Sequence, residues 1–160
     1  MKYPTQKYLL KFFNYDPKGF LIWKVSRGNN RLSGKIAGRN KSGRSAVIKL
    51  KGRCYSSHRL IFILLKGYLP KGIDHINRNS NDNRIQNLRP CTQTLNSFNT
   101  KLRSDNTSGY RGVYAVRNKW RAVIGFNKKK IQIGYFNTKR VAQTAYYKKA
   151  KKLAGEFFCP

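Results

Sequence analysis

The feature that most constrains this chain is its shortage of acids. Asp16, Asp74, Asp82, Asp105 and Glu156 face 35 lysines and arginines across 160 residues, a formal net charge of +30. So many cations cannot be neutralised by internal ion pairs. A folded form must carry them on its surface and offer them to a polyanion. They run from end to end, so this is not a basic tail on a neutral body. Five acids cannot furnish a carboxylate-rich two-metal centre, whereas a one-metal site with a carboxylate and an amide oxygen is within the supply. The hydrophobic share of 39%, with ten Tyr, nine Phe and two Trp, excludes a disordered basic protein. Cys54, Cys91 and Cys159 are far apart with no C-x-x-C pair, so zinc is not expected and a reducing cytosol fits. The longest apolar run, Leu60 to Leu65, is too short to cross a bilayer, and the N-terminus lacks a signal-peptide pattern. A cytoplasmic protein without membrane contact is the expectation.

Residues 4–14 read as a helix with Tyr8, Leu9, Phe12 and Phe13 on one side. Asp16-Pro17-Lys18-Gly19 is a turn into a strand over 20–23. The stretch 26–44 interleaves Gly28, Gly34, Gly38 and Gly43 with Arg27, Arg31, Lys35, Arg39, Lys41 and Arg44. It reads either as a phosphate-binding nest or as a plain loop. It has no nucleoside-triphosphate motif. Residues 46–51 alternate, with Ile48 and Leu50 inward and Lys49 and Lys51 outward, and Gly52 returns the chain through Arg53-Cys54-Tyr55. That basic ribbon can contact DNA, or its lysines can simply guard a sheet edge. Ser57 is expected to cap a helix from His58 to Lys66 that buries Leu60, Ile61, Leu64 and Leu65. His58 is read as either a structural residue or a second-layer contact near a metal.

The stretch that carries chemistry is Gly72-Ile73-Asp74-His75-Ile76-Asn77, followed by Asn87-Leu88-Arg89 and Asn96. Residues 87–89 are expected to pair back on 72–77, with Pro90 ending the strand for want of an N–H. Thr92 then caps a helix to about Lys101 that includes Asn96. Asp74 and Asn96 supply the oxygen ligands a hard divalent cation prefers. His75, near neutral, is left to take a proton from water. Asn87 braces the hairpin and so the His75 ring. One cation and one general base suffice to hydrolyse a phosphodiester.

The order His75, Asn87, Asn96 resembles the HNH endonucleases, in the asparagine-ended branch found in phage-encoded homing nucleases. The likeness includes Ser57-His58-Arg59-Leu60, Asp74-His75-Ile76-Asn77, Asn87-Leu88-Arg89 and Thr94-Leu95-Asn96, and covers about residues 15–100. It implies that His75 is the general base, that Asp74 and Asn96 hold one Mg²⁺ with Mn²⁺ as a substitute, and that double-stranded DNA is the substrate. No small-molecule cofactor is implied.

Residues 101–109 are polar and lack an apolar period, so they read as a linker between a domain over 1–100 and another over 110–160. Strands are expected at 110–114, 119–126 and 130–136. A helix capped by Thr138 follows, running to about Leu153 with Val141, Ala142, Ala145 and Tyr146 on the sheet and Gly155 as its stop. Ser108-Gly109-Tyr110-Arg111-Gly112-Val113, Trp120-Arg121-Ala122, Ile133-Gly134-Tyr135-Phe136 and Ala145-Tyr146 resemble the APETALA-two and ethylene-response-factor type of DNA-binding domain. The likeness implies a sheet laid into the major groove. Arg111 and Gln132 would read bases while Arg121 and Lys130 hold phosphates; Lys49, Lys51 and Arg89 are further DNA-binding candidates. Tyr114 stands where the plant members have arginine, so their target sequence does not transfer.

The fold class expected is therefore α+β: a ββα-metal nuclease core followed by a three-stranded antiparallel sheet packed on one helix. A non-enzymatic DNA-binding regulator, or a basic RNA-binding protein, accounts for the charge but has no use for the Asp74, His75 and Asn96 trio.

Overall fold

A computed structural model describes residues 3–24, 32–38 and 46–160, and shows mixed α and β structure with small antiparallel sheets. The chain divides into two compact units, Met1–Cys91 and Thr92–Pro160.

In the first unit, Thr5 caps helix α1 (Gln6–Phe12) by accepting from the Tyr8 N–H. The helix is shorter than the apolar pattern predicts. Phe13 leaves it to start strand β1 (Phe13–Asp16), which pairs with β2 (Phe20–Trp23) across the expected Asp16–Gly19 turn. Part of the Gly- and Arg-rich stretch is ordered against this hairpin. Ala37 is buried, and its N–H donates to Leu21 O. Arg27, Gly28, Arg31, Arg39, Lys41, Gly43 and Arg44 lie outside the described residues. Strands β3 (Val47–Leu50) and β4 (Arg53–Ser56) form the second hairpin, with Ile48 and Leu50 buried and Lys49 exposed as the alternation predicts. Lys51 and Gly52 form its tip, both at positive φ.

Helix α2 (Ser57–Lys66) is the spine of this unit. Leu60 to Leu64 are all buried, against α1, β2 and β4. Two details differ from expectation. Ser57 is inside the helix and buried, because Ser56 takes the cap position. Leu65 is exposed while Ile63 is buried, since an almost wholly apolar helix does not announce which face turns outward. Strand β5 (Gly72–His75) pairs with β6 (Leu88–Cys91), Asp74 opposite Arg89 and His75 opposite Leu88. Asn87 is not in the strand; it ends a 3₁₀ turn, Ile85–Asn87. Pro90 does not end the pairing, which runs to Cys91. In a two-stranded ribbon each strand has an outer edge where a missing N–H costs nothing.

In the second unit, Thr92 caps the short helix α3 (Gln93–Asn96), and a 3₁₀ turn over Ser97–Asn99 follows in place of the longer helix expected. Strands β7 (Val113–Val116), β8 (Lys119–Phe126) and β9 (Lys129–Phe136) form one antiparallel sheet in chain order. Asn127 and Lys128 both take positive φ, the left-handed pair that a two-residue hairpin loop requires. Helix α4 (Lys139–Ala154), capped by Thr138, covers one face of the sheet. Its buried residues recur every fourth position, Ala142, Tyr146, Ala150 and Ala154, whereas Val141 is exposed. Gly112, at φ 67°, must be glycine, because a Cβ there would lie 2.3 Å from the Tyr146 ring. Phe98 packs with Ile124 and Tyr146, and Ser108 is buried. The unit thus begins at Thr92, and residues 101–109 lie within it.

Candidate functional site

Asp74 and His75 sit at the end of β5, and the pleat sends their side chains to opposite faces. On one face the Asp74 carboxylate is buried at 5% exposure, and Arg89 is its cross-strand partner at 13%. Both Nε and Nη2 of Arg89 reach Asp74 Oδ2 at 2.8 Å. The carboxylate thus carries a cation inside the fold.

On the other face His75 Nε2 lies 2.9 Å from Asn83 Oδ1, and Asn83 is buried. An amide oxygen only accepts, so Nε2 carries the proton and, in the neutral ring, Nδ1 carries the lone pair. Asn87 fixes the connection below. Its Oδ1 accepts from the Asn77 N–H at 3.0 Å, and its Nδ2 donates to Asn77 Oδ1 at 2.9 Å and to Asp82 O at 2.7 Å. The three bonds tie Asn77 and Asp82 together across the loop. The hydroxyl of Tyr15 accepts from the Ile85 N–H at 3.0 Å and ties the loop's exit to the β1–β2 hairpin.

His58, in the first turn of α2, meets the His75 ring edge-on with centroids 5.2 Å apart. Its Nδ1 is buried without a hydrogen-bond partner. Burial above all, then the neighbouring His75 and Arg59, push its pKa down to about 4, so it is neutral.

The remaining predicted residues divide. Asn96 ends α3 in the second unit and is exposed. Arg121, Lys130 and Gln132 lie on the sheet face away from α4; Lys130 and Gln132 are exposed, and Arg121 stacks its guanidinium 5.9 Å from the Tyr114 ring. Arg111 requires correction. It precedes β7 rather than lying in it, and its guanidinium donates to Ser97 O, Phe98 O and Thr100 O. Donors spent on three carbonyls are not available to a base edge. Lys51 stands at the hairpin tip with Nζ 5.1 Å above the Tyr8 ring, not in the outward row of a strand.

Among the described residues no cluster of three or more His, Cys, Asp or Glu side chains could hold a metal. A one-metal site needs fewer. A carboxylate oxygen is the kind of donor a hard cation prefers, and that of Asp74 is held by Arg89 in this structure.

Residues 55–97 match the HNH endonuclease family model. The match begins at Tyr55 on β4 and takes in α2, the Asp74–His75 hairpin, Asn87 and Asn96. The chain is also 35% identical over 106 residues to a protein of Acanthamoeba polyphaga mimivirus named as an uncharacterized HNH endonuclease. That alignment takes in 64% of this chain and 55% of the viral protein, so the chain spans about half the length of its relative. No solved structure matches the chain. No helix among the described residues is long and apolar enough to cross a membrane.

Asn83 is the contact that sequence reasoning missed. It belongs to an alternating run, Asn77, Asn79, Asn81 and Asn83, in which nothing local distinguishes the last. Asn77 and Asn79 accept from backbone N–H groups two residues on, at 2.9 Å and 3.1 Å, and these turns leave Asn83 to be carried inward. The Asp74–Arg89 pair had a signal that was available, because Asp74 is the one acid of β5 and Arg89 the one cation of β6.

Proposed function

We propose that this protein is a metal-dependent DNA endonuclease of the HNH type, and that His75 is its general base. The observation that carries the reading is the family match over residues 55–97, coupled to a His75 ring held by Asn83 on a hairpin that Asn87 braces. A ring fixed in orientation and tautomer can take a proton from water along one direction. Asp74 and Asn96 would hold a single divalent ion, Mg²⁺ by the hardness of the donors. Bound there, it would offset charge on the phosphoryl group and the leaving 3′ oxygen. Arg89 holds Asp74 and must loosen its hold when that carboxylate takes a metal; a DNA phosphate is a natural acceptor for the guanidinium. The ββα arrangement expected of such a core is part of this reading.

The second unit is proposed to anchor duplex DNA through Arg121, Lys130 and Gln132, in the manner of the APETALA-two type of sheet. The large positive charge makes duplex affinity fall with salt. A phage or viral homing enzyme that nicks, or cuts both strands when two copies act, is the proposed setting. The test is incubation of supercoiled plasmid with Mg²⁺ or Mn²⁺ and with EDTA. Metal-dependent relaxation or linearisation that Asp74→Asn loses supports the nuclease. Gel-shifted but uncut DNA under every metal would make the chain a DNA-binding regulator instead.

A further inference from the structure

A second site stands on the first unit, between the start of α1 and the β3–β4 hairpin. It is an open cavity of about 290 Å³ whose walls include Tyr3, Tyr8, Tyr55, Pro4, Lys51 and Arg53. The wall is not a loose surface. Tyr55 is 7% exposed and packs on Tyr3 with ring centroids 5.3 Å apart. The Tyr3 hydroxyl in turn accepts from Arg59 Nη1 at 3.3 Å. Tyr8 packs against Phe12 at 4.8 Å. Two of the rings are therefore fixed from behind, and the third is braced along the helix. Lys51 and Arg53 are exposed at the mouth, and no acid lines it.

Three aromatic rings around a space at the small end of ligand pockets suit one flat aromatic ring system. Two cations at the rim, with no countercharge, suit an anionic group attached to it. An unpaired nucleotide has both parts. Stacking on aromatic rings with the backbone tracked by Lys and Arg is how single strands are held without regard to sequence. Lys51 Nζ rests over the Tyr8 ring face, which sets a cation beside the aromatic wall. The first turn of α2 touches this pocket and the nuclease hairpin alike, through Arg59 on Tyr3 and His58 on His75.

We propose that this cavity is a binding site for one unpaired nucleobase of a DNA strand, stacked among Tyr3, Tyr8 and Tyr55 with its phosphates on Lys51 and Arg53. From the function proposed above it takes only that DNA is the ligand. The site gives the protein a preference for strands locally opened, bulged or single.

The experiment uses the full chain in EDTA, so that cleavage plays no part. Affinities are measured for a short single strand, the blunt duplex of the same sequence, and a duplex with one bulged 2-aminopurine. Tyr8→Leu should weaken the single strand and the bulge by roughly five- to 150-fold and leave the blunt duplex within about twofold. Tyr8→Phe should bind as wild type does. Equal losses on all three ligands, or no loss, would overturn the site. A second readout does not need a variant. Wild type should quench 2-aminopurine when it is bulged and not when it is paired, and an unquenched bulge at saturation refutes the proposal. A protein that binds duplex well but shows neither effect loses this site alone. One that binds no DNA at all loses the nuclease reading as well.

Discussion

Arg89→Ala should cost the first unit more than its size suggests. Two nitrogens of Arg89 sit 2.8 Å from one oxygen of Asp74, and the partners are 13% and 5% exposed. Removing the guanidinium leaves a carboxylate that water does not reach. Breaking a buried pair from one side costs about 3–5 kcal/mol, mostly the penalty of the stranded charge. A domain of this size has only about 5–15 kcal/mol in hand. Melting of the first unit in EDTA, followed by circular dichroism, should therefore fall by more than about 10 °C. Adding Mg²⁺ should restore a larger part of the loss than it adds to wild type, because the unpaired carboxylate then has a second cation to take. Asp74→Asn combined with Arg89→Met, which strands no charge, should be milder than Arg89→Ala alone. A single variant within about 1 kcal/mol of wild type, or an equal Mg²⁺ effect on both proteins, would refute the reasoning.

Asn87→Ala removes the three hydrogen bonds of a buried side chain and should lower stability by about 2–3 kcal/mol in urea melts. It should also slow cleavage by more than it weakens DNA binding, and equal losses would make Asn87 a scaffold residue only. His58 makes stability depend on pH. Its folded pKa of about 4 lies below the ordinary 6.5, so the stabilisation is complete above pH 6.5 and drains away as pH falls toward 4, by up to about 3 kcal/mol. Urea titrations between pH 7 and 4 should show that slope in wild type and a flatter one in His58→Phe.

The parts of the fold legible in the sequence were those with a clean period or a definite stop. Ile48 and Leu50 against Lys49 marked their strand, and Thr138 with Gly155 bounded α4. Where the pattern was saturated or absent, tertiary context decided. The unbroken apolar run of α2 could not show that Leu65 faces out and Ile63 in. Phe98 looked like the tail of one domain and packs in the core of the next, a long-range contact with Ile124 and Tyr146. At the site, Asp74 and His75 stand on β5, whereas Asn87 ends the 3₁₀ turn before β6 rather than opening the strand. Their partners did not follow from the motif. Asn83 reaches His75 only through the turns of the loop, Arg89 reaches Asp74 through strand register, and Arg111 is drawn from the sheet face by the carbonyls of residues 97–100.

The central claim is tested most directly by measuring cleavage rate and DNA affinity on the same preparations of wild type and His75→Ala in Mg²⁺. Removal of a general base should slow cleavage by about 10²–10⁴-fold with affinity within a few-fold of wild type. Cleavage that survives the substitution, or affinity that falls as far as the rate, would contradict the assignment of His75 as the base.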